Sequence, residues 1–117
     1  MRVLVTGATG FAGLHLIDYL VAQQVKVWAT GSSAQSLRRL PAHKAVTGVV
    51  LDVLDAEGVK TAVSTIQPDV IYHLAGQAYP GRSWQMAAQT LAINAGGTAH
   101  VLDAAVAHSP MPRVVVV

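Results

Sequence analysis

Residues 2–24 restrict this chain more than any other part of it. Arg2-Val3-Leu4-Val5-Thr6 is an apolar, β-type run that leads directly into Gly7-Ala8-Thr9-Gly10-Phe11-Ala12-Gly13. An amphipathic stretch, Leu14 to Gln24, follows. A strand, a glycine turn and a helix in that order form an anion cradle, because the unpaired N–H groups of the first helical turn face whatever lies over the turn. Each glycine then has its own task. Gly7 permits the tight turn, Gly10 leaves room for a pyrophosphate that a Cβ would block, and Gly13 lets the helix pack close to the strand. Three glycines at this spacing say little alone. The strand before them and the helix after them are the context that points to a dinucleotide.

The rest of the chain repeats the alternation. Strand one is Val3 to Thr6, and helix one should bury Phe11, Leu14, Ile17, Leu20 and Val21, spaced by three and four residues. Strand two is Val25 to Thr30, with a polar loop from Gly31 to Ser36, and strand three is Ala45 to Leu51. Asp55 is placed to cap a helix whose inner face is Val59, Ala62, Val63 and Ile66, ended by Pro68 and Asp69. Strand four is Val70 to Leu74. Residues 83–107 read as one helix, with Trp84, Ala87, Ala88, Leu91, Ala95, Leu102 and Val106 on one side. Gly96 and Gly97 each cost about 1 kcal/mol against alanine inside a helix, so close packing should explain them. Pro110 and Pro112 close that helix, and Arg113 to Val117 begins strand five.

Alternating strands and helices imply right-handed crossovers and a parallel sheet buried on both faces. The fold class is α/β: a Rossmann-like doubly wound parallel sheet of order 3-2-1-4-5, with residues 1–117 as one domain and the chain stopping inside strand five. The ligand crevice then lies at the carboxyl ends of strands one and four, where the order reverses.

Composition removes other classes. With 52% hydrophobic and 12% charged residues, the chain is core-rich rather than disordered. Its net charge of +2 comes from scattered residues, with Arg38-Arg39 the one adjacent basic pair, so no nucleic-acid face is expected. Cysteine is absent, which removes disulfide and thiolate chemistry and fits a reducing cytosol. The N-terminal apolar run is broken by glycines, unlike a signal peptide, and no stretch approaches the roughly 20 apolar residues of a membrane span. A soluble, cytoplasmic protein is expected. The histidines at 15, 43, 73, 100 and 108 show no metal-ligand spacing, and His73 between apolar neighbours reads as a core residue.

Two further rim positions carry information. In dinucleotide folds that prefer NAD, an acidic residue about 20 positions past the glycines binds the ribose hydroxyls. The corresponding stretch here, Ala29-Thr30-Gly31-Ser32-Ser33, has no acid, and Arg38 follows it. Hydroxyls and an arginine suit a 2′-phosphate, so NADP is expected over NAD, with a solvated arginine pair as the bland alternative. Asp52 ends strand three on the same rim. Its carboxylate can accept from an adenine amino group with the Val53 backbone beside it, or it can merely cap the turn. Asp55 is better placed for capping.

Thr6-Gly7-Ala8-Thr9-Gly10-Phe11-Ala12-Gly13, Asp52-Val53, Ile71-Tyr72-His73-Leu74-Ala75-Gly76 and Asn94-Ala95-Gly96-Gly97-Thr98 stand in an order that resembles the extended short-chain dehydrogenase/reductase family. That family includes NAD(P)-dependent sugar-nucleotide epimerases, dehydratases and reductases. Ser83-Trp84 with Asn94-x-x-Gly97-Thr98-x-His100 looks most similar to the GDP-mannose 4,6-dehydratase and GDP-4-keto-6-deoxymannose reductase branch. The resemblance implies a pyrophosphate lined by Gly7, Gly10, Phe11 and Ala12, with Thr9, Gly13 and Gly31 also among the cofactor-binding residues. It places Ser32, Ser33 and Arg38 at the 2′-phosphate, and Asp52 and Val53 at the adenine. Leu74, Ala75, Gly76 and Gln77 would follow the nicotinamide-side ribose, and Asn94 would tie neighbouring backbone together from within its helix. Tyr79, Arg82 and Ser83 lie where a nucleotide-sugar substrate would approach, although a polar loop is equally expected there. The resemblance also implies a homo-oligomer.

One departure bears on activity. Catalysis in that family rests on a Ser or Thr after strand five and a Tyr-x-x-x-Lys pair, the tyrosine acting as acid or base. The lysines here are Lys26, Lys44 and Lys60, and Ala22, Leu40 and Ala56 stand four positions before them. Tyr19, Tyr72 and Tyr79 therefore lack such a partner. The expectation is the cofactor-binding part of a longer enzyme, inactive by itself. A stand-alone NADP-binding or sensor module remains the alternative, ahead of a structural domain that binds nothing.

Overall fold

The computed structural model describes residues 1–75, 88 and 92–117. β1 (Arg2–Thr6), β2 (Lys26–Gly31), β3 (Val46–Val50), β4 (Val70–His73) and β5 (Arg113–Val116) alternate with α1 (Phe11–Ala22), α2 (Ala56–Ile66) and α3 (Gly97–Ala107). The strands form one parallel sheet in the order β3-β2-β1-β4-β5, as expected. Strand limits agree with the sequence reading to within one residue. β1 is central, and Val3, Leu4, Val5 and Thr6 are all at most 2% exposed. That is why this strand reads as an unbroken apolar run instead of an alternation.

The two sheet faces carry different helices. Val3, Val5, Val27 and Ala29 meet Ile17 and Leu20 of α1 on one face. Leu4, Leu51 and Ile71 meet Val59, Val63 and Ile66 of α2, with Val101, Ala104 and Ala105 of α3, on the other. Each large aliphatic side chain buried in this way contributes about 1.5–3 kcal/mol. α2 starts as expected: the Asp55 carboxylate accepts from Gly58 N at 3.1 Å. It stops at Gln67, which takes the left-handed conformation (φ 53°) immediately before Pro68.

Several expectations differ from the structure. Phe11 is 83% exposed instead of buried, and its ring meets His15 edge-on with centroids 4.5 Å apart. It sits at the first position of α1, ahead of the turns whose Ile17 and Leu20 pack on the sheet. The helix expected over 83–107 is not uniform. A π-helical turn, Ala92–Gly96, precedes α3, while Trp84, Ala87 and Leu91 lie outside the described residues. The assigned inner face is also out of phase. Ala88, Ala95, Leu102 and Val106 are exposed, and the buried stripe is Gly97, Val101, Ala104 and Ala105. α3 is apolar around most of its circumference, so periodicity alone left the choice open. Small residues turn inward because they allow close approach to α2 and the sheet. Burial on both faces holds for the inner strands only. Val50 of β3 and Val116 of β5 remain about half exposed, at 55% and 49%. The β2–β3 connection contributes just a short 3₁₀ turn, Ser36–Arg39, where a covering helix would stand.

Candidate nucleotide-binding site

The glycine turn between β1 and α1 lies at the carboxyl edge of the sheet. Gly7 has φ +64°, and a Cβ there would come within 2.6 Å of Ala75 N and 2.8 Å of the Leu74 carbonyl carbon. Gly7 is thus needed twice, for the turn and for contact with the β4 exit. At Gly13 a Cβ would stand 2.6 Å from the Ala8 carbonyl carbon and 2.7 Å from Ala8 Cα. The helix packs on the turn itself at Ala8, and this, not contact with the strand, is what requires glycine. Gly10 differs from both. Among the described residues the nearest neighbour to an added Cβ is Gly7 O at 3.7 Å, so none of them demands a glycine. Among the described residues no side chain caps α1, and no acidic residue stands in its first turn to offset the positive end of the helix.

Thr6 joins this turn to β4, a role not foreseen from the sequence. Its hydroxyl lies 2.6 Å from His73 Nδ1 and accepts from Ala75 N at 3.4 Å, and its carbonyl accepts from Leu74 N at 3.1 Å. A hydroxyl at the end of an apolar strand, opposite a histidine in parallel register, was the available signal. His73 is a core residue, as expected, 1% exposed, and burial pushes its imidazole below the usual value. Among the described residues its Nε2 has no partner.

The rim at β2 and β3 is more exposed. Gly31 is buried, and a Cβ there would collide with Ser36 and come within 3.1 Å of Leu37 Cδ2 and 3.2 Å of Thr9 Cγ2. It seats the following loop rather than facing outward. Ser32, Ser33 and Arg38 are exposed. Ser36 N donates to Ser33 Oγ at 3.1 Å and Ser36 Oγ donates to Ser33 O at 2.8 Å, which knits the loop. A polar cavity of about 420 Å³ is lined by Ser33, Gln35, Ser36, Arg38 and Arg39. Ser32 and Asp52 share a second cavity of about 670 Å³ that runs between the β2–β3 edge and α2.

Asp52 does cap its turn: Oδ1 accepts from Leu54 N at 2.9 Å. Asp55 caps the helix, so the two carboxylates divide the capping work. Asp52 stays exposed on the rim, whereas the Val53 side chain is 6% exposed and turned under α3. Leu74 and Ala75 are half-buried beside Gly7, and Asn94 lies in the π-helical turn, its carbonyl accepting from Thr98 Oγ1 at 2.7 Å. Gly76, Gln77, Tyr79, Arg82 and Ser83 lie outside the described residues. Close packing explains Gly97; at Gly96, among the described residues, an added Cβ would find only Leu54 Cδ2 at 3.9 Å. Among the described residues no cluster of metal-ligating side chains occurs, and no helix is long and apolar enough to cross a membrane.

Comparison with known proteins bears on the fold and the family. The model of the NAD dependent epimerase/dehydratase family matches residues 3–117. A dTDP-L-rhamnose 4-epimerase of Burkholderia thailandensis is 31% identical over 112 residues, covering 92% of this chain and 31% of that protein. A GDP-6-deoxy-D-mannose reductase of Pseudomonas aeruginosa is 35% identical over 103 residues, covering 88% and 29%. The crystal structure of a UDP-glucose 4-epimerase of Thermus thermophilus in complex with NAD has a TM-score of 0.81 and 32% identity, covering 89% of this chain and 33% of that one. Relatives thus include the GDP-sugar branch that the sequence resembles and dTDP-sugar enzymes beside it. The chain spans about one third of the length of these proteins. It belongs to the NAD dependent epimerase/dehydratase family.

Proposed function

We propose that this chain is the dinucleotide-binding part of an NAD(P)-dependent sugar-nucleotide epimerase, dehydratase or reductase. The observation that carries this reading is Gly10. Among the described residues no packing contact requires a glycine there, and Gly10 is itself the N-cap of α1, so the missing side chain leaves room for an anion at the helix start. The group fits the residues present. Gly7, Thr9, Gly10, Phe11, Ala12 and Gly13 would hold the pyrophosphate, Asp52 and Val53 the adenine, and Leu74 and Ala75, with Gly76 and Gln77, the nicotinamide-side ribose. A bound nicotinamide dinucleotide supplies the hydride acceptor and donor for oxidation and reduction at a sugar carbon. Nucleotide-sugar substrates enter by family membership, with Tyr79, Arg82 and Ser83 as the contacts this chain would offer.

NADP is the cofactor we favour. No carboxylate occupies the end of β2 to repel a 2′-phosphate, and the cavity beside it exposes Arg38 with Ser33 and Ser36. Calorimetry of the chain with NADPH and NADH, repeated on Arg38→Ala, tests both levels. We expect tighter NADPH binding and loss of the difference in the variant. Equal affinities, or tighter NADH, would overturn the NADP assignment and leave the dinucleotide site standing. No binding of either would overturn the site.

A further inference from the structure

The turn that would receive adenine is held from outside by α3, an element with no place in the phosphate cradle. Val53 lies in that turn with its side chain under the first residue of α3. A Cβ on Gly97 would stand 2.7 Å from Val53 Cγ2 and 3.2 Å from Val53 Cβ. One helical turn later His100 reaches the same residue, its Nδ1 2.8 Å from the Val53 carbonyl oxygen. A carbonyl oxygen can only accept, so Nδ1 carries the proton and donates it. Residues three apart share a helix face, which is why Gly97 and His100 address one residue together.

The turn also has an internal brace. Asp52 Oδ1 accepts from Leu54 N at 2.9 Å, and Asp55 N donates to Asp52 O at 2.9 Å. These bonds fix the shape of the turn. The start of the turn is held at Leu51, whose N–H donates to Gly31 O at 2.9 Å. The contact of Gly97 with the Val53 side chain and the bond from His100 to its carbonyl tie the following residue to α3. The Asp52 carboxylate is left exposed at the rim while the residue after it is clamped.

We propose that His100 and Gly97 are positioning residues that set the adenine-recognition turn, Asp52–Val53, and with it the discrimination between adenine and other purines. This rests on the cofactor reading above. An adenine amino group donates to the Asp52 carboxylate, whereas hypoxanthine presents a carbonyl oxygen that the carboxylate repels. A turn released from α3 loses that geometry. Asparagine at position 100 keeps a donor one bond from Cγ, where imidazole Nδ1 stands; leucine removes it.

The test compares wild type, His100→Leu, His100→Asn and Gly97→Ala by calorimetry with the adenine dinucleotide and with its hypoxanthine analogue. Hydrogen exchange of the 53–55 amides is followed without ligand. We expect His100→Leu to weaken the adenine dinucleotide about five- to tenfold, the scale of one lost hydrogen bond. The hypoxanthine analogue should weaken less, so that discrimination narrows, while the 53–55 amides exchange faster and those of β1 and β4 do not change. His100→Asn should restore both readouts. Gly97→Ala, which displaces Val53 with His100 intact, should narrow discrimination as leucine does. If wild type binds and His100→Leu keeps both its discrimination and its exchange rates, this inference alone is overturned. If wild type binds neither dinucleotide, the cofactor reading falls and the adenine role falls with it.

Discussion

Alanine at Gly7 and alanine at Gly10 should separate folding from binding within one short turn. Gly7 holds φ +64°, where an L-residue costs about 1–2 kcal/mol. The added Cβ would also meet Ala75 N at 2.6 Å and Ala75 Cα at 2.7 Å, backbone atoms that can yield only if the β4 exit moves. Overpacking of this kind costs about 1–3 kcal/mol. The sum, about 2–5 kcal/mol, is a large part of the roughly 5–15 kcal/mol by which a domain is stable. Gly10 holds φ −78°, and among the described residues its added Cβ would have no neighbour nearer than Gly7 O at 3.7 Å. Alanine there is only a poorer helix cap, at about 1 kcal/mol or less. Urea titration followed by circular dichroism reads stability, and calorimetry with NADPH reads binding. Gly7→Ala should lose stability by the amount given. Gly10→Ala should stay within about 1 kcal/mol of wild type and bind about tenfold more weakly or worse. A Gly7→Ala chain as stable as wild type would refute the packing reasoning. Undiminished binding by Gly10→Ala would refute the assignment of its open side to the pyrophosphate.

Two further outcomes follow from burial. Burial lowers the His73 imidazole below its usual 6.5, so the unfolded chain takes up a proton first as pH falls. The stability that depends on neutral His73 is complete above about 6.5 and declines below it, by at most about 1.4 kcal/mol per pH unit, until the folded state is protonated too. His73→Gln should remove that slope, and the same pH dependence in the variant would assign it elsewhere. The phase of α3 can be checked with one methyl-group comparison: Val101 is 1% exposed and Val106 72%. Val101→Ala should cost about 2 kcal/mol and Val106→Ala less than about 0.5 kcal/mol in the same urea titration, with the reverse order refuting the observed burial.

Much of the fold was legible because its signals are local. The apolar run of β1, the glycine turn, the Asp55 cap and the 59-62-63-66 stripe of α2 each state their geometry within about a dozen residues. Chain order and right-handed crossovers then leave few topologies besides 3-2-1-4-5. The phosphate turn was readable for the same reason, since a missing side chain is visible in the sequence wherever it stands. The phase of α3 was not readable. Its apolar residues surround the helix, and the choice between Leu102 with Val106 and Val101 with Ala104 depends on which side lets α2 and the sheet approach.

By itself, then, the sequence determined the alternation of strands and helices, the order of the sheet, and an anion cradle after the first strand. Only tertiary structure decided which glycines answer to the protein. Gly7 faces Ala75 across 68 residues of chain, Gly13 faces Ala8, Gly97 faces Val53, and Gly10 faces none of the described residues closely. It also decided the partners of polar groups that lie far apart in the chain, Thr6 with His73 and His100 with the Val53 carbonyl. Periodicity and propensity describe a residue's neighbours along the chain. A Cβ collision or a buried hydrogen bond depends on neighbours brought in by packing, and those exist only once the sheet and its helices are assembled.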